Sequence, residues 1–240
     1  MITVEDLNYR TKKIRGKEPF AIQDISFHLE EGYMMCLLGR NGAGKTTLLE
    51  LLNGMIVPDS GRIELPLEET AFVGGSAWCV ESWTVQENVL QFSRLTPSFD
   101  EKLFEDTLQT FGMETGILSR KFKDLSTGQK MQVQSAFAFA KHPRVLLLDE
   151  PVANMDPVVR TDYMELLHQK VTREKTTVIV STHLVEDITD LVDYIGIMEH
   201  GKLTDYGNRD QIMQRYDSQD LRQMLLHKGT SYHGLQKESR

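Results

Sequence analysis

The hydrophobic and polar positions near the start of the chain follow the pattern of strands. Residues 2–9 alternate between the two kinds, which predicts an edge strand ending at Tyr9, and residues 22–29 predict a second strand after a basic loop at residues 12–19. Further apolar runs predict buried strands at residues 33–38, 145–148 and 177–181. Because helical segments separate these runs, the pattern predicts an α/β fold with a buried parallel sheet.

The middle of the chain changes character. After a short predicted strand at residues 70–73, helix signals replace strand signals. Residues 84–87 and 98–101 both match the S/T-x-x-E capping box, and each segment opens an amphipathic run. A further helix is expected from Gly128 until a proline breaks the pattern. We interpret the region from about residue 76 to residue 135 as a helical insertion.

Two tryptophans, Trp78 and Trp83, lie at the entrance of this insertion. They could form an apolar contact surface on the outside of the protein. Because tryptophan is largely buried on average, we expect both side chains in the core.

The last third of the chain combines helix and hairpin signals. Asp156-Pro157 predicts a helix start, with an N-cap followed by proline at the first helical position. Residues 184–191 predict another helix, and a hairpin is expected around His200-Gly201. Residues 207–226 carry weak helical signals before a polar tail.

One turn fits the phosphate-binding pattern G-x-x-x-x-G-K-[ST] at every fixed position and lies between a predicted strand and a predicted helix. Its residues, with the one that follows, are Gly39, Arg40, Asn41, Gly42, Ala43, Gly44, Lys45, Thr46 and Thr47. The glycines allow backbone N–H groups to converge on a phosphate chain, toward which the helix directs its positive end. Lys45 would then contact the β- and γ-phosphates, and the Thr46 hydroxyl would bind Mg²⁺.

Two adjacent carboxylates, Asp149 and Glu150, follow the apolar run at residues 145–148. A strand that ends in such a pair suits a nucleotide site, because one carboxylate can engage magnesium while the other polarises water. His183 follows another apolar strand. Taken alone, this histidine would more often be a metal ligand, a core residue or a surface residue than a catalytic one.

Composition limits the classes of function. The 27 Lys and Arg residues are outnumbered by 35 Asp and Glu residues, so we expect no nucleic-acid partner. The two cysteines, Cys36 and Cys79, lack the spacing of metal ligands, and Cys36 is expected to pack in the core. No apolar stretch approaches the roughly 18 to 20 residues that span a bilayer. We therefore expect a cytoplasmic chain whose membrane role would need a separate partner.

The segment Leu125-Ser126-Thr127-Gly128-Gln129 resembles the signature LSGGQ. Together with the phosphate loop and the acidic pair, it makes residues 2–207 similar to the ATP-binding subunits of ABC transporters. The resemblance implies a P-loop NTPase (RecA-like) core with an antiparallel β subdomain and an inserted α-helical signature subdomain. We expect one domain over residues 1–207 and a short C-terminal extension over residues 208–240.

The resemblance also implies catalytic roles. Lys45 and Thr46 match the family's phosphate and magnesium ligands, and Asp149 matches its magnesium-associated aspartate. Glu150 matches the glutamate that polarises the attacking water, and His183 matches the histidine that contacts the γ-phosphate. The implied enzyme is an ATPase that uses ATP with Mg²⁺.

Other matched residues imply nucleotide contacts made in part between two chains. Tyr9 matches the aromatic residue that stacks on adenine. Ser126, Gly128 and Gln129 match the signature residues that close over the nucleotide of a second subunit, and Asp156 lies in the loop that crosses to it. The implied partners are a second ATPase subunit, identical or homologous, and a separate membrane-spanning permease that holds the chain at the cytoplasmic face of the membrane.

The amino-acid sequence of the signature is most similar to that of ABC-2 type exporters, so export is the expected direction of transport. One departure from the family concerns the glutamine that normally contacts Mg²⁺, because Gly74 or Gly75 occupies its position. Two alternatives therefore stay open. The chain could be an ABC ATPase that is not coupled to transport, or a nucleotide-gated module that hydrolyses ATP weakly.

Overall fold

The computed structural model describes residues 1–11, 20–75, 79–96, 98–183 and 191–216. Its strands are β1 (Ile2–Arg10), β2 (Ala21–Leu29), β3 (Met34–Gly39), β4 (Ser60–Glu64), β5 (Thr70–Val73), β6 (Val145–Asp149), β7 (Thr177–Thr182), β8 (Tyr194–Glu199) and β9 (Lys202–Asn208). Its α-helices are α1 (Lys45–Leu52), α2 (Val85–Ser93), α3 (Glu101–Thr110), α4 (Thr127–Ala140), α5 (Pro157–Glu174) and α6 (Arg209–Arg215). Within the described ranges, these elements match most of those that the hydrophobic pattern predicts.

A six-stranded sheet in the order β5-β6-β7-β3-β8-β9 forms the centre of the protein. Its first five strands pair in parallel, and β9 pairs antiparallel to β8 as the second arm of the expected hairpin. Every residue of β3, β6 and β7 is buried. The sequences of these strands are continuous apolar runs, because helices or a second sheet cover both faces of the large sheet.

Successive side chains of β3 point to opposite faces of this sheet and so join two separate cores. Met34, Cys36 and Leu38 belong to a cluster that includes the buried face of α5. Met35 and Leu37 belong to a second cluster that includes α1 and the small sheet. The strand that leads into the phosphate loop is therefore held from both sides.

The small sheet has the order β2-β1-β4, and all of its pairings are antiparallel. The prediction that residues 2–9 form an edge strand is wrong, because β1 lies between two neighbours. Val4 pairs with Phe27 on one side and with Ile63 on the other. The second partner comes from a distant segment, so the alternation within β1 alone could not reveal it.

The helical insertion has its own core, built from apolar residues of α2, α3 and α4 and of the short 3-10 turns between α3 and α4. The first predicted capping box is confirmed. Thr84 Oγ1 accepts from Glu87 N at 3.1 Å, and Glu87 Oε2 accepts from Thr84 N at 2.7 Å. The pKa of the Glu87 carboxyl is lowered, because its Oε2 accepts hydrogen bonds from the backbone N–H of Thr84 and, at 3.0 Å, from Thr84 Oγ1.

The second predicted capping box is wrong. Helix α3 begins at Glu101, and its N-cap is Asp100, whose Oδ1 accepts from Leu103 N at 2.9 Å. Ser98 instead directs its hydroxyl toward the carbonyl of Lys141 at 3.5 Å. Asp100 takes the capping position because Ala140 O accepts its backbone N–H, which holds the chain at the helix entrance.

Trp83 does not lie in the core as expected, since 38% of its surface is exposed. It lies in the turn before α2, outside the cluster of buried residues that the insertion encloses.

Several expectations lie outside the described residues: the basic loop at residues 12–19, the burial of Trp78, residues 184–190 of a predicted helix, and the chain after residue 216. Ile212 of α6 is fully buried in the cluster that includes the buried face of α5.

The two possible caps of α3 can be separated by substitution. We expect Asp100→Ala to lower the urea midpoint of unfolding at neutral pH, and we expect Ser98→Ala to leave it nearly unchanged. The Leu103 N–H lowers the pKa of the Asp100 carboxyl, so this stabilisation is present above the unfolded-state pKa of an aspartate.

The same stabilisation is lost as the pH falls through the lowered folded-state pKa of Asp100. Urea curves of the wild type and Asp100→Ala should therefore converge in acid. Asp100→Asn is the matched control, because asparagine caps a helix without titrating, and it should keep the midpoint at neutral pH. A larger loss of stability in Ser98→Ala than in Asp100→Ala would contradict the assignment.

Candidate functional site

The phosphate loop connects the end of β3 to the start of α1. Gly42 and Gly44 have φ angles of 83° and 108°, which L side chains rarely adopt. Gly44 is the N-cap of α1, and no side chain caps this helix end. The first N–H groups of α1 therefore point into the loop, where a phosphate chain would accept their hydrogen bonds.

Neighbouring segments pack closely around this loop. A Cβ atom at Gly44 would lie 2.7 Å from the Phe20 ring and 2.9 Å from Ile22, so only glycine fits there. The turn between β8 and β9 supports the loop from another side, because Gly201 N donates to Ala43 O at 2.8 Å. The loop is therefore held in shape by packing as well as by its own glycines.

Lys45 lies at the base of the loop with a buried ammonium group. Its Nζ donates to Gly39 O at 2.6 Å and lies 3.2 Å from Glu150 Oε1. The other carboxylate oxygen of Glu150 lies 2.8 Å from Nδ1 of His183. The structure thus brings the three expected catalytic residues into one chain of contacts.

Asp149 is a buried carboxylate that accepts hydrogen bonds from two hydroxyl groups. Thr46 Oγ1 donates to its Oδ2 at 2.6 Å, and Ser181 Oγ donates to its Oδ1 at 2.5 Å. Burial and the charge of Asp149 together raise the pKa of Glu50, which lies one turn along α1 from Thr46. Asp149 therefore places negative charge beside the first turn of α1.

The hydroxyl of Thr46 and the carboxylate of Asp149 form a pair of hard oxygen donors. In the described part of the chain, no group of three His, Cys, Asp or Glu side chains is placed to hold a metal ion. Mg²⁺ suits a pair of this kind, because it keeps several waters and takes other ligands from nucleotide phosphates. The residues present therefore fit Mg²⁺ bound together with a nucleotide.

A cleft of about 360 Å³ lies over the phosphate loop. The described residues that line it are Phe20, Arg40, Asn41, Gly42, Gly44, Lys45, Thr46, Thr47, Asp149 and Glu150. Tyr9 is not among them: it lies on β1 opposite Ile22 and packs against the second core. An aromatic ring does border the cleft, but it belongs to Phe20.

The thiol of Cys36 lies in β3, beneath this site. Burial, and then the nearby Glu150 carboxylate, raise the pKa of the Cys36 thiol far above its usual value. The side chain therefore stays neutral and contributes to packing, as its position in the strand predicts.

The signature residues lie apart from the cleft. Ser126 is the exposed N-cap of α4 and forms a capping box with Gln129: Ser126 Oγ accepts from Gln129 N at 3.2 Å, and Gln129 Oε1 accepts from Ser126 N at 3.1 Å. A Cβ atom at Gly128 would overlap the carbonyl oxygen of Asn154. Gly128 therefore allows α4 to approach the loop that ends at Asp156.

Asp156 has a structural role within this chain. Its Oδ1 accepts from Val158 N at 2.9 Å and caps α5, as the Asp156-Pro157 pair predicts. Among the described residues, neither Asp156 nor the signature segment lines the cleft over the phosphate loop. The chain thus places the two groups of expected nucleotide contacts in separate positions.

Gly74 and Gly75, where the resemblance to the family implies the missing glutamine, directly follow β5, and Gly74 lies close to Asp149. A Cβ atom at Gly74 would lie 3.2 Å from Asp149 Cβ and 2.5 Å from the Phe72 ring. Among the residues that the structure describes, none other than the flanking ones lies within 4 Å of a Cβ atom placed at Gly75. The next glutamine along the chain, Gln86, is exposed in the first turn of α2, inside the confirmed capping box.

A parallel sheet that brings a phosphate loop, a hydroxyl–carboxylate pair and a lysine-bound glutamate to one edge defines a nucleoside triphosphatase of the P-loop class. The family model described as "ABC transporter" matches residues 22–153, more than half of the chain. The chain belongs to the ABC transporter family as an ATP-binding subunit, and it is an ATPase.

Curated relatives extend the match over most of the chain. The ABC transporter ATP-binding protein YtrB of Bacillus subtilis is 29% identical over 221 residues, which cover 88% of this chain and 74% of the relative. The energy-coupling factor transporter ATP-binding protein EcfA2 of Streptococcus agalactiae is 29% identical over 254 residues, which cover 96% and 89% of the two chains.

Solved structures share the fold. The ATP-binding cassette MJ0796, in a dimeric post-hydrolysis state with ADP and Pi, superposes with a TM-score of 0.77 at 21% identity, covering 87% of this chain and 99% of that one. The protein cbiO1 of Clostridium perfringens, part of the ABC transporter complex cbiONQ, gives a TM-score of 0.67 at 27% identity, with 88% and 90% covered. The predicted P-loop NTPase fold is confirmed.

Two residues near the site escaped the reasoning from sequence. Phe20 immediately precedes β2, and its distance from the phosphate loop along the chain hides their contact. Ser181 carries a weaker signal as a polar residue at the end of an apolar strand. The contacts of both residues with the site arise only in the folded chain, where segments distant in sequence lie side by side.

The cleft predicts that Phe20 stacks on the adenine base. Stacking of a base on an aromatic ring contributes roughly 1–3 kcal/mol, so we expect Phe20→Ala to weaken ATP binding about tenfold. Tyr9→Ala is the matched control, and it should change the affinity less. Titration with a fluorescent ATP analogue and with inorganic triphosphate measures both effects. A larger loss in Tyr9→Ala, restricted to ligands that carry the base, would instead support Tyr9.

Proposed function

We propose that the chain hydrolyses ATP–Mg²⁺ as one half of a head-to-tail dimer and that this dimer drives transport through a separate membrane-spanning permease. One observation carries the proposal: Lys45, Thr46 and Glu150 lie together at the phosphate loop, whereas Ser126 of the same chain lies outside their cleft. A second subunit, identical or homologous, would bring its own signature segment over this cleft.

The start of α4 has the chemistry to bind an anion. Ser126 Oγ accepts a hydrogen bond from Gln129, so its hydroxyl proton remains available for another acceptor. The positive end of the α4 dipole lies at the same place and favours a phosphate group. Gln129 is engaged in the capping box, so we expect it to orient Ser126 and to contribute less to direct binding.

The chemistry proposed for the cleft is in-line attack by water on the γ-phosphate. Lys45 stabilises negative charge on the phosphates, and Glu150 accepts the water proton once it exchanges its contact with Lys45 for one with water. His183 contacts the other oxygen of Glu150 and is itself exposed. Thr46 and Asp149 would hold a bound Mg²⁺, which would neutralise negative charge on the phosphates.

The names of the relatives support a permease partner. They include ATP-binding proteins of energy-coupling factor transporters and a part of the transporter complex cbiONQ. These names give no support to export as the direction of transport. No helix of the described residues is long and apolar enough to cross a membrane, so we assign the membrane-spanning part to a separate chain, which would hold this one at the cytoplasmic face.

The weakly hydrolysing module remains the second candidate, and one observation favours it. Gly74 and Gly75 carry no side chain where the resemblance to the family implies the glutamine, so a bound Mg²⁺ would lack the oxygen that this glutamine would supply. An additional water would take that place. The proposed enzyme is therefore expected to turn over more slowly than family members that carry the glutamine.

The dimer is tested with a variant that binds ATP without hydrolysing it. We expect Glu150→Gln to abolish turnover and to elute as a dimer in gel filtration with ATP–Mg²⁺, because the polarising carboxylate is gone while the phosphate contacts remain. Adding Ser126→Glu should return the protein to a monomer that still binds ATP, since a carboxylate would repel the γ-phosphate.

Ser82→Glu is the control in the same Glu150→Gln background, because Ser82 is an exposed serine of the insertion outside the signature. It should leave the dimer intact. Full turnover in Glu150→Gln would remove Glu150 from its role. A dimer that survives Ser126→Glu would contradict the head-to-tail arrangement.

The permease contact is tested on the exposed apolar residues of the insertion. Trp83, Leu90 and Leu95 are 38%, 49% and 79% exposed and lie on or beside α2. We expect the double variant Leu90→Glu with Leu95→Glu to lose co-purification with a membrane protein from detergent-solubilised membranes, because charge on this patch prevents its burial. Its basal ATP turnover should stay unchanged.

Leu67→Glu is the matched control, because Leu67 is 51% exposed but lies in the 3-10 turn that precedes β5, outside the insertion. It should co-purify like the wild type. Recovery of ribosomes or DNA in place of a membrane protein would favour an ATPase that is not coupled to transport. A membrane partner retained by the double variant would place the contact elsewhere.

A further inference from the structure

Ser181 is a fully buried serine whose hydroxyl lies between two neighbouring acidic residues. It stands near the end of β7, directly opposite Asp149 in the parallel register of β6 and β7. Its Oγ donates to Asp149 Oδ1 at 2.5 Å and accepts from the backbone N–H of Glu150 at 3.1 Å. One hydroxyl therefore joins the side chain of the first acid to the backbone of the second.

The direction of these hydrogen bonds is determined by the groups involved. An ionised carboxylate only accepts, so the Ser181 proton is committed to Asp149 Oδ1. The other oxygen, Oδ2, accepts from Thr46 at 2.6 Å. Rotation of the Asp149 carboxylate would break both contacts, so the two hydroxyl groups hold its plane and direct Oδ2 toward α1.

The backbone of Glu150 has a conformation that needs support. Its φ angle is 50°, in the left-handed region, which costs of order 1–3 kcal/mol for a residue with a side chain. The Glu150 N–H donates to two acceptors of Ser181, its carbonyl oxygen and its Oγ, and each lies 3.1 Å from the nitrogen. This conformation places the Glu150 carboxylate between Lys45 and His183.

We propose that Ser181 is a positioning residue for ATP–Mg²⁺ hydrolysis, which orients Asp149 toward the magnesium ion and holds Glu150 in the conformation that faces the γ-phosphate. The inference rests on the proposed function, since it assumes that Asp149 and Thr46 hold Mg²⁺ with the nucleotide. The competing explanation is a buried hydroxyl that contributes only to stability. The two explanations differ in what happens to metal affinity when the hydroxyl is removed.

Ser181→Ala removes the hydroxyl without adding volume to the buried site. We expect it to weaken the binding of Mn²⁺, used in place of Mg²⁺, about tenfold in protein saturated with a non-hydrolysable ATP analogue, because loss of a residue that orients a metal ligand typically has an effect of this size. Electron paramagnetic resonance measures free Mn²⁺ directly. The affinity for the analogue without metal should stay within twofold of the wild type.

Turnover provides a second readout. At saturating ATP and Mg²⁺, Ser181→Ala should keep a kcat at least tenfold below that of the wild type, because excess metal restores occupancy without restoring the position of Glu150. The KM for ATP at saturating Mg²⁺ should change little. A merely structural serine would lower neither the metal affinity nor the kcat of the folded protein.

Ser135→Ala is the matched control. Ser135 is also fully buried, and its Oγ lies 2.9 Å from the Tyr163 hydroxyl on the packed side of α4. Both variants lose one buried hydroxyl, so both should lower the urea midpoint, but only Ser181→Ala should shift the Mn²⁺ titration.

Equal Mn²⁺ affinity in Ser181→Ala and the wild type would overturn the inference, and so would equal shifts in both alanine variants. Failure of the wild type to bind Mn²⁺ with the analogue would contradict the proposed ATP–Mg²⁺ site itself. The two failures are therefore distinguishable.

Discussion

The parallel hydrogen bonding of β3, β6 and β7 is the constraint on which the rest of the structure depends. In this register Leu38 lies beside Thr182, and Asp149 lies beside Ser181. The carboxyl ends of three buried strands therefore meet at one edge, and that edge receives the phosphate loop, the acidic pair and His183. Because both faces of the sheet are covered, these polar groups can leave the apolar interior only at its edge. The site thus follows from the topology of the sheet as much as from any single motif.

The sequence predicted those parts of the fold whose signals are local. Strands β3, β6 and β7 are recognisable in the sequence as apolar runs, because each is buried on both faces. The capping box of Thr84 and Glu87 likewise predicts the start of α2 from a short segment. The central position of β1 depends on pairing with β4, whose Ile63 lies far along the chain from Val4. The start of α3 depends on a carbonyl of α4 that binds the Asp100 amide. Tertiary contacts of this kind leave no trace in a short window of sequence.

The same division holds within the site. The phosphate loop could be predicted directly, since its geometry requires glycines at fixed spacing, and so could the acidic pair Asp149–Glu150, since it ends an apolar strand. The resemblance to a family supplied the role of His183. The contacts of Phe20 and Ser181 arise between neighbouring segments of the folded chain, and no spacing rule connects them to Gly44 or Asp149. An aromatic near the end of β1 was the natural expectation for adenine, yet β1 directs Tyr9 into the packing between the sheets.

The departure at Gly74 and Gly75 acquires a physical meaning from the packing around it. A side chain at Gly74 would meet the Phe72 ring, so a glutamine there would require that ring to move. Gly75 has open space and ordinary backbone geometry, so it is the position that could carry the missing side chain. Because β5 pairs with β6, Gly74 follows the strand beside the end of β6 and lies close to Asp149. The resemblance to the family implies a metal-contacting amide at this position, which neither glycine supplies, whereas the hydroxyl groups of Thr46 and Ser181 are hydrogen-bonded to Asp149.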